Sequence, residues 1–324
     1  AIQAAILTPR SKADQQHRGQ LDFAAFYHND GVVAGSAAAV RFFSDTFREE
    51  TAALGLTVAV SKCEVVPAAK DAFAFPANLF SGFQWKVDGN LKFLGAPFGD
   101  EAFCAAHTAK RVAKAEHLLK DIGAYDHTQG AMQLLRHCAS WSKLVYSARV
   151  VPPNLHRDAL AELGDSIRRT LGEVMGESLP DRSWALAQLG LSQGGMGIRS
   201  PAVHAPAAYL ASLVATKDLC CALDPGFDAT DRAGDLRRAS TEHELRAQVL
   251  EAASWDRGNL PLSQNKLSGL IDAAARQKLL EEHQQDVPFC AHVALRSLPG
   301  AGAWLTSPLA DDGREMDAPL MQVA

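Results

Sequence analysis

Over the first hundred positions short apolar runs are separated by turn formers, and beyond position 100 the apolar spacing becomes helical. Leu21-Asp22-Phe23-Ala24-Ala25-Phe26-Tyr27 and Val32-Val33-Ala34-Gly35 flank His28-Asn29-Asp30-Gly31. That composition predicts a β-hairpin, because Asn, Asp and Gly tolerate the positive φ that tight turns need. Ahead of it, Ala1-Ile2-Gln3-Ala4-Ala5-Ile6-Leu7 is apolar without a cap and reads as a helix entered partway along, followed by a polar linker from Pro9 to Gln20. Ser36 predicts an N-cap for a helix with Val40, Phe43, Phe47 and Leu54 on one face, and Gly55 marks its stop. Leu56-Thr57-Val58-Ala59-Val60 is rich in β-branched residues and predicts a strand, with Ser61-Lys62-Cys63-Glu64-Val65-Val66 continuing extended up to Pro67. Phe83, Trp85 and Val87 alternate with polar residues, Asp88-Gly89-Asn90 turns, and Leu91-Lys92-Phe93-Leu94-Gly95 returns. This predicts a second hairpin.

From Glu101 onward, helices are expected near 101–122, 126–150 and 153–175, separated by Gly123 and Pro152-Pro153. A Gly-rich break from Gly190 to Pro201 precedes further helices near 203–217, 241–255 and 266–283. Residues 299–324 hold Pro299, Pro308 and Pro319 with Gly300, Gly302 and Gly313, and little regular structure is expected there. The fold class is therefore α+β, strands first and helices after.

Charge narrows the chemistry. The 324 residues carry a formal net charge of −5, which argues against coating nucleic acid through bulk charge. The surplus of cations is local: residues 101–157 hold eight Lys or Arg against four acids, together with five histidines. Cys63, Cys104, Cys138, Cys220, Cys221 and Cys290 show no CxxC pair and no repeating spacing, so neither a zinc site nor a disulfide framework is indicated. The opening residues are too few and too uncharged for a signal peptide, and no apolar run approaches membrane-spanning length. The chain reads as a soluble, intracellular fragment.

At the residues themselves, Phe26-Tyr27-His28-Asn29-Asp30-Gly31-Val32-Val33-Ala34-Gly35 resembles the Tyr-x-Asp-Asp hairpin of reverse transcriptases, above all those of non-LTR retrotransposons. Ala1-Ile2-Gln3 is similar to the end of the preceding helix in that family. Gly55-Leu56-Thr57 with Ser61-Lys62-Cys63-Glu64 looks like the next motif, and Phe93-Leu94-Gly95-Ala96-Pro97-Phe98-Gly99 looks like the hairpin that grips the primer strand. Weaker likeness continues through Leu134 to Cys138, Val145 to Arg149, Gly194 to Ser200 and Gly302 to Leu305. The resemblance implies the C-terminal part of a polymerase palm over 1–100, with partial antiparallel strands, an all-α thumb over 101–189 and a helical extension over 190–324. It also implies an RNA template, a DNA primer or hybrid duplex, fingers and palm strands supplied upstream, and an intracellular setting, the nucleus included.

Nucleotide addition in that family needs two divalent ions, Mg²⁺ or Mn²⁺, held by carboxylates. The resemblance makes Asp30 the remaining metal ligand of the hairpin pair and puts Asn29 at the degenerate position of the first Asp. A neutral amide cannot supply the charge that draws in a hard cation. The third carboxylate belongs to an earlier strand that this chain lacks, so catalysis by the chain alone is expected to fail. Lys62 matches the basic residue near the incoming triphosphate, or else is a surface lysine at a strand end. Phe93, Leu94 and Gly95 would position the primer end, while Phe83, Trp85 and Phe93 could equally bury a two-stranded ribbon. Lys110, Arg111 and Lys114 are the candidates for phosphate contact along a hybrid, against the alternative of a solvated helix face.

Asn29-Asp30-Gly31 also reads simply as turn chemistry, and His28 as a strand residue rather than a ligand. Gly194-Gly195-Met196-Gly197 lacks the lysine and context of a phosphate-binding loop. His137 and Cys138 are adjacent on one helix, where side chains diverge by about 100°, so they cannot pair as base and nucleophile. Three readings stand: a fragment of an RNA-directed DNA polymerase, a non-catalytic nucleic-acid-binding module derived from one, and an unselected relic. The incomplete palm is expected to leave an apolar sheet edge.

Overall fold

The computed structural model describes residues 2–17, 19–28, 30–67, 78–223, 244–254 and 263–305. The chain divides into two compact units, Ala1–Phe103 and Cys104–Ala324. It is mostly helical with small sheets, an α+β chain.

In the first unit, α1 (Ile2–His17) leads into the hairpin β1 (Leu21–Tyr27) and β2 (Asp30–Gly35), and α2 (Ala37–Ala53) packs behind it. The linker expected from Pro9 is instead the second half of α1. Proline removes one helical hydrogen bond, and burial of Ala13 (0% exposed), joined to Leu21, Ala39 and Phe43 in one core, keeps the helix going. The antiparallel ladder runs from Leu21↔Gly35 to Tyr27↔Asp30. Gly35 is required where the strand ends, since a Cβ there would fall 2.4 Å from the Gln20 carbonyl oxygen. Ser36 caps α2 as expected, its Oγ accepting the Ala39 N–H at 3.3 Å. Phe43 stacks with Phe26 of β1 at a ring separation of 6.2 Å, and Phe47 packs against it tilted at 5.1 Å. Leu54, by contrast, lies at the C-cap and is 44% exposed rather than on the buried face.

Two strand expectations change. Residues 56–59 form no strand, and Val60–Lys62 is a 3₁₀ turn, with pairing confined to β3 (Glu64–Val65), which runs parallel to β4 (Gln84–Trp85). β-branched residues favour extended backbone, but a strand needs a neighbour, and Leu56 stands exposed. The second hairpin is displaced along the chain: β5 (Leu91–Phe93) pairs with β6 (Ala96–Phe98), not with 83–87. Its turn is Leu94-Gly95, both left-handed at φ 48° and 81°, the backbone that joins strands through a two-residue loop. Asp88-Gly89-Asn90 does turn, yet its two sides belong to different sheets.

The second unit is helical: α3 (Glu101–Gly123) runs into it, followed by α4 (Thr128–Leu134), α5 (Trp141–Val150), α6 (Arg157–Met175), α7 (Asp181–Gln188), α8 (Pro201–Leu223), α9 (residues 244–252), α10 (Gln264–Glu282) and α11 (Val287–Arg296). The helix expected over 126–150 is split by a π turn at Leu135–Ala139, closed by the Ser140 N–H on the Leu135 carbonyl. α7 and α11 were not expected. Leu160, Leu163, Ile167 and Leu171 on α6 follow helical spacing and are at most 1% exposed. They share a core with Val112 and Leu119 of α3, Leu144 of α5, and Met196, Ile198, Ala205 and Leu305, so residues on both sides of position 190 contribute to it. Smaller clusters join α8, α9 and α10, and α7, α10 and α11. No helix among the described residues is long and apolar enough to cross a membrane. Of the tail expected to lack regular structure, Ala303–Leu305 is a 3₁₀ turn, and residues 306–324 lie outside the described residues.

Candidate nucleic-acid interface

The register of the first hairpin pairs Tyr27, the last residue of β1, with Asp30, the first of β2. His28 is therefore a turn residue at φ 54° rather than a strand residue, and its ring meets that of Tyr27 edge-on at 4.6 Å. Asn29 lies outside the described residues. One pair earlier, the Phe26 ring covers Gly31 so closely that a Cβ there would stand 2.3 Å from it. Phe26 in turn rests on Phe43 and Phe47, so the core of α2 holds the register of the hairpin that carries Asp30. Strand alternation sends Tyr27 and Asp30 to the opposite face, where Tyr27 is 61% exposed and Asp30 is open to solvent.

The ions that the resemblance implies are Mg²⁺ or Mn²⁺. Such ions take about six oxygen ligands, and this end of the hairpin offers the one carboxylate of Asp30. Among the described residues no three His, Cys, Asp or Glu side chains gather where they could share an ion.

Lys62 ends the 3₁₀ turn, not a strand, and is exposed. The turn is held from the other side of the β3–β4 pair, where Gln84 Nε2 donates to the Ser61 carbonyl at 2.7 Å. Beside it, burial pushes the Cys63 thiol up, against the smaller opposing effect of the Arg48 charge. Phe93 is half-buried in β5 while Leu94 is 42% exposed at the tip. The aromatic that anchors this part of the unit is Phe80, 3% exposed and edge-on to Phe83 and Trp85 at 5.6 and 6.0 Å. Sequence spacing assigns Phe80 no part in either hairpin.

Along α3, Thr108, Val112, Ala115, Leu119 and Ile122 form the buried face. Lys110 and Lys114, one turn apart, are exposed on the other side among Ala106, Ala109 and Ala113. Arg111 is half-buried and its guanidinium lies 5.8 Å from the centre of the Tyr146 ring on α5. Two of the three expected cations thus share a smooth exposed face, while the third leans against a neighbouring helix.

No family model, curated protein or solved structure matches this chain.

Sequence reading also missed a polar knot inside the second unit. Asp272 on α10 is 4% exposed and accepts Arg199 Nε and Nη2 at 2.9 and 2.7 Å. His204 on α8 places Nε2 3.4 Å from the other Asp272 oxygen and Nδ1 3.2 Å from Ser268 Oγ. Burial alone would raise the Asp272 pKa, but hydrogen bonds from His204 and Arg199, with their charges, hold the carboxyl below its ordinary value. Serine, histidine and aspartate are joined here at 2–4% exposure, so the group works as an internal tie between α8, α10 and the loop before α8. The Gly194–Ser200 motif acquires a structural meaning from it: a Cβ on Gly195 would lie 2.2 Å from the Leu189 carbonyl oxygen, Gly197 is left-handed at 72°, and Arg199 reaches Asp272.

Proposed function

We propose that this chain is a piece of an RNA-directed DNA polymerase of the non-LTR retrotransposon type. Its hairpin at Tyr27–Asp30 descends from the catalytic hairpin of the palm, and Leu91–Phe98 from the hairpin that meets the primer end. The observation that carries the reading is the register of β1 and β2. It sets Asp30 at the turn end of an antiparallel hairpin backed by α2, in the same compact unit as the Phe93-Leu94-Gly95 tip. With Asn29 in place of the pair's first aspartate, the chain does not polymerise alone. Completion requires an upstream segment that supplies a further carboxylate, an aspartate at position 29, and then Mg²⁺ or Mn²⁺.

The second reading, a non-catalytic module that binds an RNA–DNA hybrid, draws on the exposed Lys110 and Lys114 face of α3. The two readings share a first test. In electrophoretic or anisotropy titrations, the full chain binds a short RNA–DNA hybrid with an affinity that falls as salt rises. Lys110→Gln with Lys114→Gln weakens binding at all sequences and lowers the salt slope by about 2, roughly one for each phosphate no longer neutralised. Unchanged binding in the double variant removes α3 from the interface, and no binding by the native chain removes both readings.

A further inference from the structure

The base of the second hairpin is closed by one side chain. Asn90 Oδ1 accepts the Asp100 N–H at 2.9 Å, and Asn90 Nδ2 donates to Asp100 Oδ2 at 3.0 Å. Asp100 Oδ1 also accepts the Phe103 N–H at 2.7 Å, capping the first turn of α3. On the other side, the Asn90 N–H donates to Asp88 Oδ1 at 3.2 Å. The residue between hairpin and cap is Gly99, where a Cβ would fall 1.9 Å from Asn90 Oδ1, so the closure needs a glycine there. Asn90 stands between two carboxylates, with an amide to donate and a carbonyl to accept. An aspartate at that position would repel both neighbours, and an aliphatic residue would lose both side-chain bonds to Asp100 and keep only its backbone bond to Asp88. The Phe103 N–H first, and the Asn90 amide second, hold the Asp100 carboxyl below the usual carboxylate range, so it stays an acceptor at neutral pH.

The hairpin itself has three residues in each strand. Ribbons that short hold no fixed direction on their own. This one is tied just beyond its last pair, Leu91↔Phe98, by the clasp, while Ala96 and Pro97 of β6 are buried.

We propose that Asn90 is a positioning residue: its carboxamide, closed on Asp100 across Gly99, aims the Leu94-Gly95 tip from the first turn of α3 so that the tip meets the 3′ end of a DNA primer paired with RNA. This rests on the polymerase reading, and its test separates the two. The full chain is compared as native protein, Asn90→Ala, Asn90→Asp, and the exchange Asn90→Asp with Asp100→Asn. The first readout is amide hydrogen exchange over residues 91–103. Asn90→Ala speeds exchange there about tenfold, the equivalent of losing one or two ordinary hydrogen bonds. Asn90→Asp does at least as much at neutral pH and less in acid, and the exchanged pair returns protection to within about threefold of native. The second readout is photocrosslinking from a 4-thiothymidine at the recessed primer end of an RNA–DNA hybrid to the 91–98 peptide. Asn90→Ala lowers the crosslink several-fold without changing overall hybrid affinity, and the exchanged pair restores it. Native exchange rates in Asn90→Ala, or failure of the exchanged pair to restore protection, overturn the clasp. A crosslink that Asn90→Ala leaves unchanged overturns the positioning role alone. Absence of hybrid binding by the native chain, with the exchange effects intact, overturns the polymerase reading and the positioning role with it.

Discussion

Mild acid should destabilise the second compact unit through a single imidazole. His156 lies just before α6, 2% exposed, with Nδ1 3.2 Å from Thr108 Oγ1 on α3. Nε2 is buried without a hydrogen-bond partner. Burial with nothing to stabilise a second proton pushes the His156 pKa down from 6.5 to about 4. Because the folded value is below the unfolded one, the unfolded chain binds the extra proton first, and folding stability falls as pH drops through the window from 6.5 to about 4. The full effect is about 3 kcal/mol, of which about 2 kcal/mol is lost between roughly pH 7 and pH 5. Other acids and histidines also titrate there, so the informative quantity is the difference from His156→Leu, which fills similar space and cannot protonate. The Thr108 hydroxyl left behind can bond to a carbonyl one turn back in α3. Urea unfolding followed by tryptophan fluorescence, with hydrogen exchange over 101–175 to isolate this unit, should show native protein losing about 2 kcal/mol more than the variant over that range. Parallel stability curves for the two proteins would mean that the buried, neutral His156 is not what the pH dependence reports.

Three further substitutions probe the packing. Arg199→Met leaves the Asp272 carboxylate buried beside His204 and Ser268 and should lower stability of the second unit by roughly 3 kcal/mol in urea unfolding, while Arg199→Met with Asp272→Leu should recover much of it. Gly31→Ala drives a methyl into the Phe26 ring and should cost about 1–3 kcal/mol, read as faster amide exchange in 21–35 but not in 104–223. Phe43→Ala empties the space between α2 and the first hairpin, where Phe43 is 2% exposed, and should cost about 3–4 kcal/mol in the first unit; a loss under about 1 kcal/mol would contradict the packing described.

The parts legible in the sequence are those whose cause is local. The first hairpin follows from its turn residues, and α2 from Ser36 before it and Gly55 after it. Where pairing or packing involves distant partners, local signals mislead. Asp88-Gly89-Asn90 is a real turn, but Trp85 pairs back to Val65 while Phe93 pairs forward to Ala96, a choice no window around 88–90 contains. Leu94 at positive φ is unusual enough that its sequence context points to a strand instead. Pro9 signals a helix end, yet Ala13 and the core around it carry α1 to His17. Lys62 is visible as a lone cation, though not its 3₁₀ turn. The Arg199–Asp272 pair spans 73 positions and cannot be read from either end. Of the expected site, the spacing of Lys110 and Lys114 foretells a shared face, whereas the contact of Arg111 with Tyr146 depends on how α3 meets α5.

Under the proposed function, a polymerase hairpin persists here with its first aspartate replaced by Asn29. Its most direct test is primer extension on an RNA template with Mg²⁺ or Mn²⁺, using an upstream-extended protein that supplies the earlier palm strand, with Asn29 as it stands and with Asn29→Asp. The Asn29→Asp protein is expected to extend the primer and the Asn29 protein is not. Extension by the Asn29 protein would contradict the assigned role of that position. Failure of both proteins to extend, with no binding of an RNA–DNA hybrid, would contradict the polymerase reading itself.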